Sequence, residues 1–98
     1  MNADHFLAEA LRAQAALERF MESSPDPDNP ADQDTALAML GDIRDTLFEA
    51  IRAAAPSVSV ETMNVMRYAL AQTVETTRQI VERKIRAATA EAARATKH

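Results

Sequence analysis

Few residues in this chain have the type and spacing that chemistry requires. His5 and Glu9 stand four apart, which puts them on one helix face and suits a shared metal ion. Two donors make a poor site, and the pair falls off the apolar stripe of its segment, so an exposed histidine accounts for it. Asp42, Asp45 and Glu49 repeat at i, i+3 and i+7. Paired carboxylates can move protons or hold a cation, but no histidine or other converging group accompanies these, and a solvated face explains them. Asp26 and Asp28 alternate as the ligands of a calcium loop do. The pattern then fails. Pro30 stands where another oxygen ligand is needed, Ala31 where the turn needs glycine, and Leu37 where the loop closes on Glu.

Composition removes further chemistry. The chain has no cysteine, which excludes thiolate nucleophiles, disulfides and cysteine-based zinc sites. Its single glycine, Gly41, cannot form a Gly-rich phosphate loop, and neither G-x-S-x-G nor H-E-x-x-H occurs. The serines stand beside helix starts, where capping explains them. The expectation is a non-catalytic protein with no catalytic, cofactor-binding or metal-binding residues and no small-molecule substrate.

The elements are all helical. Ninety-eight residues make one domain with a thin core, and many of the apolar residues are alanine, which favours helix and buries little. The spacing predicts an all-α, antiparallel three-helix bundle, with helices over about 4–22, 30–54 and 60–94 and an acidic, Pro-rich linker over 23–29. Asp4 is read as the first N-cap. Asn29 with Pro30, and Ser59 with a Val58–Met63 staple, set the next two starts, and Pro56 ends the middle helix. Ala36–Ala55 is the most apolar stretch and organises the rest. Its core line is Ala36, Leu40, Ile43, Leu47, Ile51 and Ala54. That face is wider than one neighbour can cover, so the helix is expected between the other two or at a subunit interface. In the third helix the expected inner line is Met63, Met66, Leu70, Val74, Thr77, Val81, Ile85, Ala88 and Ala92. At 1.5 Å per residue this helix overhangs the bundle by about three turns, and residues 95–98 are read as a frayed tail.

Two surfaces are candidates for a partner. On the middle helix, Leu37, Gly41, Arg44 and Phe48 share one side. Gly41 there is read first as a close approach of another helix, and otherwise as a hinge or a binding notch. On the third helix, Val65, Tyr68, Gln72, Thr76, Gln79 and Arg83 form a seam, and Ile85 and Arg86 lead the overhang. Residues 1–34 carry eight acids against two bases, and residues 61–98 carry four acids against seven bases, an asymmetry that can orient packed helices or subunits. The expected function is protein binding, as a homodimeric inhibitor or adaptor. The alternative is nucleic-acid binding through Arg78, Arg83, Lys84, Arg86, Arg94 and Lys97, although Glu82 and Glu91 interrupt that run and no aromatic is interleaved. The N-terminus does not read as a signal peptide, no apolar run could span a bilayer, and a cytoplasmic location with no membrane partner is expected.

Overall fold

The computed structural model describes residues 3–54 and 58–96. Three helices account for most of them: α1 (Ala3–Glu22), α2 (Pro30–Ala54) and α3 (Val60–Ala95). The all-α bundle expected from the apolar periodicity is the fold.

The helix starts follow from local chemistry. Asn29 Oδ1 accepts from the backbone N–H of Ala31 at 2.8 Å and of Asp32 at 3.2 Å, which satisfies two donors that α2 cannot pair internally. Ser59 caps α3 in extended conformation, and its Oγ accepts from Thr62 N–H at 3.1 Å. Val58 and Met63 both pack on the Ala50–Ala54–Met66 cluster, so the staple forms as the sequence predicts. Helix α1 begins at Ala3, so Asp4 lies in its first turn and complements the helix dipole instead of capping it. Helix α3 runs through Ala95 with Thr96 as its C-cap, one residue into the stretch expected to fray. Pro56, Lys97 and His98 lie outside the described residues.

Helix α2 is the centre. Both α1 and α3 run antiparallel to it. Phe6 and Leu7 of α1 and Met63 of α3 meet the C-terminal part of α2, around Ala50 and Ala54, while Lys84 reaches Asp34 near its start. Ile43 and Leu47 pack with Ala10, Ala13 and Leu17 of α1 and with Ala69 and Leu70 of α3. Ala50 and Ala54 are fully buried, and their small side chains let both neighbours approach α2 at one level. No Cα atom of α1 comes within 8 Å of one in α3 among the described residues. Packed helices normally sit 8–10 Å apart axis to axis, so α1 and α3 lie farther apart than a packed pair and leave a groove floored by α2.

One expectation needs correction. The inner line of α3 is rotated from the predicted one. Thr73 is buried, Ala69 and Ile80 are half-buried, and Lys84 lies against α2. Val74, Val81 and Ile85 are exposed, at 50%, 40% and 59% of their free surface, and Ala88 and Ala92 are exposed as well. Intrahelical hydrogen bonding makes this arrangement possible. Thr73 Oγ1 donates to Ala69 O and Thr77 Oγ1 to Thr73 O, each at 2.8 Å, so the hydroxyls need no water. Thr73 then packs as a small apolar residue, and the larger valines turn outward.

The overhang forms as expected. Every residue from Ile85 to Thr96 is exposed, about three turns of helix beyond the Lys84–Asp34 pair, in a molecule measuring 61 × 25 × 20 Å.

Candidate functional site

The linker is cross-linked by its own hydrogen bonds and tied to α2 and α3. Ser24, in the left-handed region at φ 55°, turns the chain out of α1. Asp26 N–H donates to Asp32 Oδ2 at 2.8 Å and Asp28 N–H to Asp26 Oδ1 at 2.9 Å. Gln33 is buried, and its Nε2 donates to Pro27 O at 2.8 Å, which ties the linker to α2. Arg83 reaches back from α3 to Asp28 at 2.7 Å, and Lys84 pairs with Asp34. The Arg83 hydrogen bond holds the Asp28 carboxyl below the usual carboxylate range and pushes the guanidinium further up. The acidic front of the chain is thus joined to the basic helix within one molecule. These carboxylates are exposed, but they are not independent of α3.

This pairing bears on the basic run of α3. Arg83 and Lys84 are held as above, and Arg78 is shared between Glu75 and Glu82. The Arg78 hydrogen bond lowers the Glu75 carboxyl from its ordinary value. Glu82 turns to Arg78 and not to Arg86, its other i, i+4 neighbour. Arg86 and Arg94 are the cations exposed on the described overhang without such a pairing.

The predicted partner residues divide between two surfaces on opposite sides of α3. The first is the groove between α1 and α3. Tyr68, Gln72 and Thr76 of α3 line it, with Gln14 and Glu18 of α1 across from them and Leu40 and Ile43 below. It continues towards the linker, where Gln79, Ile80 and Arg83 face Met21, Pro25 and Asp26. Val65 lies on the same side of α3, one turn before Tyr68, and both are exposed by about two thirds of their surface, at 67% and 68%. The second surface is the flank of α2 and α3 that faces away from α1. Val74, Val81 and Ile85 lie within about 40° of one another on the α3 wheel, on the side away from Thr76. Leu37, Gly41, Arg44 and Phe48 lie on the corresponding side of α2, at the levels of Val81 through Leu70, given the antiparallel register fixed by Lys84–Asp34 and Met66–Ala50. Phe48 is 53% exposed. Arg44 is exposed and pairs with its neighbour Asp45 at 3.0 Å. Arg86 falls on the Tyr68 row of the α3 wheel, on the exposed overhang one turn past Arg83.

Gly41 is a second correction. No helix approaches it. A Cβ built there meets only Arg44 Nη2, at 3.8 Å, so the notch is open.

His5 stacks edge-on against Phe6, with ring centres 5.4 Å apart. Among the described residues, no group of three or more histidines, aspartates or glutamates is placed to share a metal ion, and no helix is long and apolar enough to cross a membrane. No protein-family model, curated protein or solved structure matches this chain.

The sequence singled out the α3 seam and the α2 patch but did not pair either with its neighbour. The spacing of the first helix reads as an apolar stripe of Phe6, Ala10, Ala13, Leu17 and Phe20 widened by Leu7, Leu11 and Met21, but Leu11 and Met21 are both 57% exposed. Their departure from the Phe6–Ala10–Ala13–Leu17–Phe20 line was the available signal.

Proposed function

We propose that this protein acts by non-catalytic protein–protein contact, as a homodimeric inhibitor or adaptor, with the α2–α3 flank as its self-association surface. The observation that carries the reading is the apolar line Val74, Val81 and Ile85 with Phe48 beside it, which faces solvent on the side of the bundle away from α1. A monomer normally scatters its exposed apolar residues, whereas several on one face mark an interface. A two-fold pairing of this flank would bury the same residues on both copies and extend along the overhang, whose alanines allow close helix approach. The Arg44–Asp45 and Arg78–Glu75 pairs would sit at the polar rim and set register more than affinity. A cytoplasmic setting is part of the same proposal.

Nucleic-acid binding ranks below this reading, because Arg78, Arg83 and Lys84 would first have to leave carboxylates of their own chain.

Light scattering over a concentration series tests the dimer. The expected mass is that of two chains, falling to one in Val81→Glu and Ile85→Glu while helicity is unchanged. A wild-type chain that stays monomeric at high micromolar concentration overturns the proposal.

A further inference from the structure

The exposed side of α3 carries a coiled-coil repeat. Arg78, Val81, Ile85, Ala88, Ala92 and Ala95 follow one another at alternating spacings of three and four, which puts them on one seam of the helix. All six are exposed, and Val81 and Ile85 are large and apolar. The charged residues of the described overhang, Arg86, Glu91 and Arg94, lie off this seam. Beyond Lys84 no described part of the same chain covers it.

Size and charge fix how two such seams meet. A parallel pair sets each residue against its own copy, so Arg78 faces Arg78, and the spacing is wide at Ile85 and narrow at the alanines. An antiparallel pair with its two-fold axis between Arg86 and Ala87 has other layers: Arg78 with Ala95, Val81 with Ala92, and Ile85 with Ala88. Every longer side chain then meets an alanine, and the helices keep one separation along the seam. The same register sets Lys84 of each copy beside Glu91 of the other, at the edge of the seam. Glu91 makes no ion pair in its own chain among the described residues, and Lys84 keeps donors beyond the one it gives Asp34. Sliding one copy a heptad towards the other's bundle instead sets Lys84 against Lys84 and Glu82 against Glu82. Sliding it a heptad away sets Glu91 against Glu91 and leaves Val81 without a partner.

We infer that the overhang of α3 docks antiparallel on the overhang of a second copy of this chain, in the register that places Val81 on Ala92 and Ile85 on Ala88. This rests on the dimer proposed above and names the element that makes it and its direction. The two bundles then stand at opposite ends of a rod, joined through their C-terminal helices.

The chain has no cysteine, so introduced cysteines report the register without background. Full-length Val81→Cys and Ala92→Cys chains are mixed while reduced, then oxidised with glutathione disulfide. A disulfide-linked pair with one chain of each kind should form about tenfold faster than either variant links to itself, because like positions lie about 16 Å apart along the antiparallel helices. Glu91→Lys should weaken dimerisation about fivefold at low salt and less in 1 M salt, with circular dichroism unchanged. Self-linking of Val81→Cys at the rate of the mixture overturns the inference, since that is the parallel arrangement. Wild-type affinity in Glu91→Lys overturns the register. So does a reduced mixture that has the mass of two chains by light scattering but gives no cross-link, even with a short bismaleimide. In that case the dimer stands and uses another part of the flank. A wild-type chain that stays monomeric overturns the dimer and the register together, so the two failures are told apart.

Discussion

Replacing Gly41 by alanine should stabilise this protein. The residue sits near the middle of α2, where a glycine costs about 1 kcal/mol relative to alanine because it leaves more backbone freedom to lose on folding. The new methyl group has room. Its nearest neighbour is the guanidinium tip of Arg44 at 3.8 Å, an ordinary van der Waals separation to the end of a flexible side chain. No strain offsets the propensity gain, so the whole of about 1 kcal/mol should appear, roughly fivefold in the folded-to-unfolded ratio. For a chain of this size that raises Tm by about 4–8 °C. The assay is urea unfolding followed by helical circular dichroism, in the monomeric Val81→Glu background so that subunit exchange does not move the midpoint. The midpoint should rise with the slope unchanged. A loss of stability there would refute the reasoning, because it would mean that part of the same chain packs on Gly41. In the proposed dimer, the same substitution in the wild-type chain then reports on the subunit contact. A smaller gain than in the monomer locates the partner's helix over the notch.

Three other outcomes follow from the packing and capping described above. Ile43 is the largest fully buried side chain among the described residues and touches both neighbouring helices, so Ile43→Ala should cost about 2–5 kcal/mol, read from the urea midpoint. Ser59→Ala removes the acceptor for Thr62 N–H and should cost about 1 kcal/mol, with Ser59→Asp recovering most of it. The third concerns pH. Hydrogen bonding from Arg83 depresses the Asp28 carboxyl in the folded state, so its stabilising effect is present above the unfolded pKa and is lost as pH falls through the folded value. Urea midpoints of wild type and Asp28→Asn should therefore differ near neutral pH and meet in strong acid, below about pH 3, with the difference small and reduced by 1 M salt because the pair is exposed.

Much of the fold was legible because its signals are local. Asn29–Pro30 and Ser59 announce helix starts through their own side chains, and the boundaries of α2 match at Pro30 and Ala54. The width of the apolar face on Ala36–Ala55 correctly implied two neighbours. What the sequence could not supply was rotation. Thr73 and Val74 are adjacent, and hydropathy favours burying the valine. The hydrogen bond from Thr73 to the carbonyl of Ala69 lets the threonine take the core position. That choice turns Val74, Val81 and Ile85 outward and creates the flank. Gln33 was missed for a similar reason: its burial depends on Pro27 O, six residues back across a turn. The candidate surfaces were half legible. Both α3 rows were visible as periodic lines, but their partners, Leu11 and Met21 for one and Phe48 for the other, are fixed by how the helices are arranged around α2.

The lack of close backbone approach between α1 and α3 has a consequence for how the molecule opens. Detaching either outer helix breaks contacts with one neighbour, whereas detaching α2 dismantles everything. The α2–α3 hairpin keeps its Ser59 cap, its Met66–Ala50–Ala54 cluster and the Lys84–Asp34 pair when α1 swings away. Amide hydrogen exchange should therefore resolve two protection levels, a lower one for the outer helices and a higher one for α2 around Ile43 and Leu47. Stability in this protein is layered, with α2 held by both outer helices and each outer helix packed on α2 alone.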